Sequence, residues 1–381
     1  MGRWAIVLSA GLLLAGCGKK AQPVRIAVAA PMTGNLGTEG DGLHRAVTLA
    51  VEEANAAGKL PFRVEVVPFD DRSDPKEAVS AANLIVLDPR VVAVIGHYSS
   101  DCCIPAARVY AGARMAMLTP SATNPEVTLQ QTRPDWPGAK TAFRLVATDD
   151  VQGAYAARFV YRKLRKRSVA VVHDGTAYGR DLTAEFGKVF VRLGGKLTVA
   201  ERLDLRRKEF AKLINRLKAG NPQAVYFAGL YTEAGLFLKG MRAAGVKAVF
   251  VAGDGAKTPA FFEVAGPASD EAYVSMVGVP VEVLPSARDF IAKYRDRWKE
   301  SGEGIKPFDH FAYEAARIVL AALAKAGPRR EDIVSEIRLQ RHDGMFGTIS
   351  FDEKGDARDK VVTMTQARFK DRGFNVIPFV P

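Results

Sequence analysis

The sequence predicts an α/β chain of two lobes, each built on a doubly wound parallel sheet. Short apolar runs alternate with amphipathic stretches along most of the chain, the rhythm of strand–helix units in a parallel sheet. At 381 residues the chain exceeds what a single core usually holds. After residue 147 a second series of strand–helix units begins that can close its own core.

Taken in order, residues 24–30 (VRIAVAA) read as a buried strand, followed by a glycine-rich loop over 31–42. Its glycines, Gly34, Gly37, Gly40 and Gly42, do not spell G-x-G-x-x-G, so the dinucleotide fingerprint is missing where it would have to stand. Asp41 is placed to cap the next helix, whose apolar face is Leu43, Ala46, Val47, Ala50, Val51 and Ala54, with Gly58 at its end. A strand over 63–69 closes on Asp70 and Asp71, and Asp74 with Pro75 opens a further helix. Residues 91–95 and 115–118 are two more buried strands, with a helix over 102–111 between them. Ser99 and Ser100 follow the first of these strands; Thr119, Ser121 and Thr123 follow the second. Open α/β sheets bind ligands at the carboxyl ends of their strands. Hydroxyls and free backbone N–H groups there suit a small polar or anionic ligand.

Residues 131–140 break the rhythm as an excursion before a strand at 143–146. The second series reads as helix 151–166, strand 168–173, helix 178–194, strand 196–202, helix 208–219, strand 224–228, helix 232–244 and strand 248–252, ending on Gly253-Asp254-Gly255. The last third gives a strand at 272–279, helices at 286–300 and 309–326, and a hairpin pairing 347–351 with 361–369 around a turn at 352–355.

The net charge of +12 raises nucleic-acid binding as a class. The charge is scattered, however, and its one dense run, 162–167, falls where a helix ends, so a solvated face is the better reading and no nucleic-acid partner is expected. The five histidines show no ligand spacing, and Cys102 and Cys103, adjacent in sequence, read as small thiols at a helix start. No metal, no cofactor and no catalytic residue is expected; no serine–acid pair makes His97 or His173 a base. At the N-terminus, Arg3, an apolar run over 4–14 and Ala15-Gly16-Cys17 form a secretory signal too short to span a membrane. Leu14-Ala15-Gly16-Cys17 resembles the bacterial lipobox. That implies cleavage after residue 16, lipid on Cys17, a tether over 17–23, and a location in the periplasm or at the cell surface.

Six segments match in order VRIAVAAPMTG at 24–34, DDRSDPKEAV at 70–79, VIGHYSS at 94–100, LTPSATNPEVT at 118–128, VVHDGTAYGRDL at 171–182 and FDEKGD at 351–356 of one pattern. The chain resembles the leucine/isoleucine/valine-binding proteins, the substrate receptors of branched-chain amino-acid ABC importers. The resemblance implies the type I periplasmic binding fold, two lobes joined by a three-segment hinge. It places the crossings near Ala147, Met276 and Val362, with lobe 1 at 24–147 and 277–362 and lobe 2 at 148–276 and 363–381. Strand counting alone does not give that interleaving.

Carried over by resemblance, Ser100 holds a ligand carboxylate, and Ser121 and Thr123 contact carboxylate and ammonium. Tyr178 covers the ligand, and Asp254 stands where the family has a glutamate against the ammonium. Tyr98 and Ser99 fall in the same site. Glu39 and Leu230 replace family tyrosines at the side-chain end of the pocket, and Ser73 and Ser99 replace a disulfide pair. Local readings remain open beside these: Ser100, Ser121 and Thr123 as helix caps, Asp254 as a turn residue, Tyr98 and Tyr178 as core aromatics, and Glu39 as a solvated loop charge. The implied function is a lipid-anchored receptor that closes on an amino acid and delivers it to membrane permease subunits. The alternatives are a sensor of amides or other small polar solutes on the same fold, and a doubly wound enzyme, which the missing phosphate-binding and nucleophile motifs disfavour.

Overall fold

The computed structural model describes residues 22–302 and 304–381; the signal, the lipobox and Cys17 lie outside the described residues. The first sheet is formed by β1 (Val24–Ala30), β2 (Val64–Asp70), β3 (Val91–Gly96), β4 (Ala116–Thr119) and β5 (Ala142–Arg144), all parallel, in the order β2-β1-β3-β4-β5. Helices α1 (Gly37–Ala56), α2 (Pro75–Leu87), α3 (Ser100–Gly112) and the short α4 (Glu126–Leu129) alternate with these strands. Successive side chains of β1 enter opposite cores, which is what a strand covered on both faces requires. Ile26, Val28 and Ala30 pack with Leu43, Val47, Ile318 and Val319, whereas Ala27 and Ala29 pack with Ile85, Ala107 and Tyr110.

The second sheet carries β6 (Ser168–His173), β7 (Lys196–Arg202), β8 (Ala224–Ala228), β9 (Val249–Ala252) and β10 (Tyr273–Val277). Around it lie α5 (Asp149–Arg158), α6 (Ala177–Arg192), α7 (Arg207–Gly220), α8 (Tyr231–Ala243) and α9 (Ala260–Ala265). Here too alternate residues divide: Ala170 and Val172 join one core, Val169 and Val171 the other. The chain then returns to the first sheet as α10 (Arg288–Arg297), α11 (Asp309–Ala326) and α12 (Arg330–Leu339). Phe290, Phe311, Ile333 and Ile337 complete the core begun by Ile26 and Val28. A small ribbon, β11 (His342–Gly344) with β12 (Gly347–Ile349), precedes β13 (Val362–Arg368) and β14 (Gly373–Ile377), which close the second sheet in the order β14-β13-β10-β9-β8-β6-β7.

Two expectations are corrected. The predicted hairpin does not form: β12 pairs with β11, while β13 runs antiparallel to β10 and β14. The open edge of β10 offers a full row of backbone partners and buries Met364, a larger gain than pairing with the short 347–349 segment. The turn at 352–355 survives as a local reversal closed by the Asp352 N–H donating to the Asp356 carbonyl at 2.8 Å. Second, α1 starts at Gly37, so Asp41 is no cap but an interior residue paired with Arg45. Two of the glycines that read as a loop are packing residues inside the helix: a Cβ on Gly40 would run into the Pro31 carbonyl, and one on Gly42 into the Asp309 carboxylate. Asp74 does cap α2, accepting from the N–H groups of Lys76 at 2.8 Å and Glu77 at 3.2 Å.

Candidate ligand-binding site

In the first sheet the order reverses between β1 and β3, and in the second between β6 and β8. Chains leaving such neighbours turn to opposite faces and leave a crevice beyond the carboxyl ends of the strands. The two crevices face one another.

On the first wall, the turn after β3 hangs on buried His97. Its Nδ1 lies 2.7 Å from Asp71 Oδ2 and its Nε2 3.1 Å from the Tyr110 hydroxyl. Its carbonyl accepts from Cys103 Sγ at 3.2 Å and Thr119 Oγ1 at 2.9 Å. Ser99 and Ser100 open α3, and the Ser100 hydroxyl, 3% exposed, accepts the Asn124 N–H at 3.2 Å. Ser121 Oγ donates to the Tyr98 carbonyl at 2.8 Å, tying the β4 loop to the β3 loop. Behind them the fully buried Arg144 guanidinium donates to the carbonyls of Ala122 and Asn124, the residues flanking Thr123, and to Thr128 Oγ1 and Asp356 Oδ1. Burial would raise the Asp356 carboxyl, but Arg144 and Thr128 hold it below the usual range.

On the facing wall, Thr176 caps α6 by accepting the Gly179 N–H at 2.9 Å. This sets Tyr178 in the first turn, where its hydroxyl donates to Asp254 Oδ1 at 2.8 Å and accepts the Gly255 N–H at 3.2 Å. Gln152 Nε2 donates to the same carboxylate oxygen at 2.8 Å and to Ser275 Oγ at 2.9 Å. Burial pushes the Asp254 carboxyl up to about 6, against the lowering effect of Gln152 and Tyr178. Nearby, Asp149 is fully buried and its carboxyl is driven well above the carboxylate range by burial, opposed by the Thr123 hydroxyl.

Between the walls lies a cavity of about 200 Å³. Ser99, Ser100, Ser121 and Thr123 line it from one side; Tyr178, Leu230 and Asp254 line it from the other. Tyr98 and Phe308, edge to face at 5.7 Å, form an aromatic corner. Glu39 is not on this wall, and it is no solvated loop charge either. With α1 starting at Gly37 it sits in the first helical turn, 2% exposed, and accepts a 2.8 Å bond from Thr258 Oγ1 across the cleft. Further bonds cross between the walls. The Asp101 carboxylate accepts the Ala177 N–H at 3.0 Å, adding a second cap to α6. Asn124 Nδ2 donates to Asp181 Oδ2 at 2.8 Å, and the Tyr231 hydroxyl donates to the Asn35 carbonyl at 2.6 Å. Leu36, from the β1–α1 connection, is buried in the core of the second sheet. These contacts describe a closed cleft.

Sequence reasoning missed Asp101, Asp149, Gln152 and Phe308. Asp149 and Asp150 do carry a readable signal, an acidic pair opening a helix. The Ser73 and Ser99 hydroxyls, where the resemblance removes a disulfide, hydrogen-bond to each other. Cys102 and Cys103 are free and buried, and burial pushes both thiols up, Cys103 to about 12, so neither is a reactive thiolate. Among the described residues no cluster of His, Cys, Asp and Glu has the makings of a metal site, and no helix is long and apolar enough to cross a membrane.

Hydroxyl and N–H donors on one wall and a carboxylate on the other, in a cleft between two sheets, are what a receptor for a small zwitterion needs. The family model described as periplasmic binding protein matches residues 23–373. The chain belongs to that family. A leucine-, isoleucine-, valine-, threonine- and alanine-binding protein of Pseudomonas aeruginosa is 33% identical over 342 residues, 89% of this chain and 88% of that protein. A Leu/Ile/Val-binding protein homolog of Brucella melitensis is 33% identical over 340 residues, 88% of each chain. Among solved structures, a leucine-binding protein of Thermotoga maritima superposes with a TM-score of 0.81 at 29% identity, covering 93% of this chain and 98% of its own. These relatives are amino-acid-binding proteins, and the family to which the chain belongs is that of periplasmic binding proteins.

Proposed function

We propose that this periplasmic binding protein is the lipid-anchored receptor of an ABC importer, closing its two lobes on an L-α-amino acid and handing it to the permease subunits in the membrane. The observation that carries this is the division of the cavity: neutral donors Ser100, Ser121 and Thr123 on one wall, the buried Asp254 carboxylate on the other. A carboxylate needs no formal cation where hydroxyls and helix N-termini converge, whereas an ammonium is best met by a real negative charge. Micromolar binding asks for about −8 kcal/mol, within reach of a few hydrogen bonds to charged groups at roughly 1.5–3 kcal/mol each. Lobe 1 is taken as 24–147 and 277–362, lobe 2 as 148–276 and 363–381, hinged where the chain passes between the sheets, and Cys17 as the lipid attachment that holds the receptor beside its permease.

The names of the relatives support amino acids as the ligand class. A thermal-shift panel of L-amino acids, amides and small carboxylates tests this, because a ligand that binds only the folded chain raises its melting temperature. The expected result is a shift with at least one L-α-amino acid that is lost with the matching carboxylic acid lacking the amine. A shift confined to another solute class would sink the reading.

A further inference from the structure

Beside the cavity lies a second one of about 260 Å³. The two share Ser73, Thr176 and Leu230, so only two hydroxyl side chains and one leucine separate them. The second is lined by Asn35, Leu36 and Arg72 from one lobe and by Thr232 and Glu233 from the other. The partition is held in place. Arg72 and Ser73 adopt left-handed backbone, φ 49° and 55°, fixed by the Arg72 N–H donating to Asp70 Oδ1 and the Ser73 N–H to Asp71 Oδ1, each at 2.9 Å. That turn aims the Ser73 hydroxyl at Ser99, and Thr176 is committed to capping α6.

We infer that the side chain of the bound amino acid runs past Leu230, between Ser73 and Thr176, into this second chamber, so that the site prefers a glutamine-length side chain ending in a carboxamide over a branched aliphatic one. The inference rests on the amino-acid reading above and specifies its substrate. An aliphatic side chain of that length finds Leu36 and Leu230 but also crowds Arg72, Thr232 and Glu233 and desolvates them without replacing their hydrogen bonds. A carboxamide has a carbonyl for the Arg72 guanidinium and an NH₂ for the Glu233 carboxylate. The first cavity's apolar corner, Tyr98 and Phe308, packs the methylenes that lead there.

Calorimetric titration of the full-length chain with L-alanine, L-leucine, L-glutamine and L-homoleucine tests this, since homoleucine has the shape of glutamine with methyls in place of the amide. Glutamine is expected to bind at least tenfold more tightly than homoleucine. Glu233→Ala, which removes the carboxylate offered to the amide NH₂, is expected to erase that advantage. Homoleucine or leucine binding as tightly as glutamine, or an unchanged glutamine-to-homoleucine ratio in Glu233→Ala, overturns the inference and leaves the amino-acid reading standing. No binding of any of the four overturns the inference, and the wider amino-acid panel then decides the reading on which it rests.

Discussion

On the first-sheet wall, Ser100, Ser121 and Thr123 carry no charge and owe their placement to helix starts and to the guanidinium of Arg144 behind them; on the facing wall the buried Asp254 carboxylate is steered by Tyr178 and Gln152. The hydroxyls and N–H groups of the first wall do not titrate near neutrality. The second carries a group that burial has moved to about 6. A zwitterion held between them would therefore be sensed at its carboxylate by geometry and at its ammonium by charge. The difference also divides the costs of damage. Losing a donor on the first wall removes one hydrogen bond, whereas losing the charge on the second removes the reason an ammonium enters at all.

The largest effect is expected behind the first wall. Arg144→Met takes from the buried Asp356 carboxylate its closest cation, leaving Lys360 at 3.4 Å, and strips the carbonyls of Ala122 and Asn124 of their donor; it should lower folding stability by about 3–5 kcal/mol, read in urea unfolding. A loss under 1 kcal/mol would show that Arg144 does not organise the loop. Next comes Asp254→Asn, which should weaken amino-acid binding by about two orders of magnitude, the usual penalty for stripping one partner from a buried charge pair. Ser100→Ala should cost about tenfold through one lost bond to a charged group, with the pH profile of binding unchanged. The smallest effect belongs to the cross-cleft cap: Asp101→Ala should weaken binding by about threefold to tenfold through a faster off-rate, since it holds only the closed form. If Ser100→Ala outweighs Asp254→Asn, the division between the walls is wrong.

The buried carboxyls also set the stability of the ligand-free chain. Asp254 is raised to about 6 and Asp309 to about 8, in both cases mainly by burial. A carboxyl whose folded pKa lies above its unfolded value contributes stability fully present below the unfolded pKa and lost as pH rises through the folded pKa. Buried His310, lowered to about 3, opposes this trend up to its unfolded value near 6.5, so the melting temperature without ligand should fall between pH 7 and pH 8, where Asp309 loses its proton. Differential scanning calorimetry across that window checks the sign, and a rising temperature would contradict it.

Local periodicity made β1, α2 with its Asp74-Pro75 start, and α11 legible, because each is specified by neighbours in sequence. What stayed hidden is set at a distance. The start of α1 depends on close backbone packing against Pro31, which a glycine run disguises as a loop. α12 offers little beyond Ile333, Val334 and Ile337 in a charged stretch, and β14 exists because β13 gives it an edge. The hydroxyls of the first wall and Asp254 were visible as residue types at strand ends. Gln152 was not, since its function is to span from Asp254 to Ser275, residues remote from it in sequence. Glu39 was misplaced for the same reason that α1 was. The interleaving of the lobes came from family resemblance and not from the strand count.

The central claim is that an ammonium pairs with Asp254. The direct measurement is the dissociation constant of the tightest-binding L-amino acid by calorimetry from pH 5 to pH 8, in the wild-type chain and in Asp254→Asn. Protonation of Asp254 removes the charge the ligand needs. Wild-type binding should therefore be flat above about pH 6 and weaken below it, approaching tenfold per pH unit, and Asp254→Asn should be weak and flat throughout. A wild-type profile that stays flat down to pH 5, or a variant that keeps the same slope, would contradict the account.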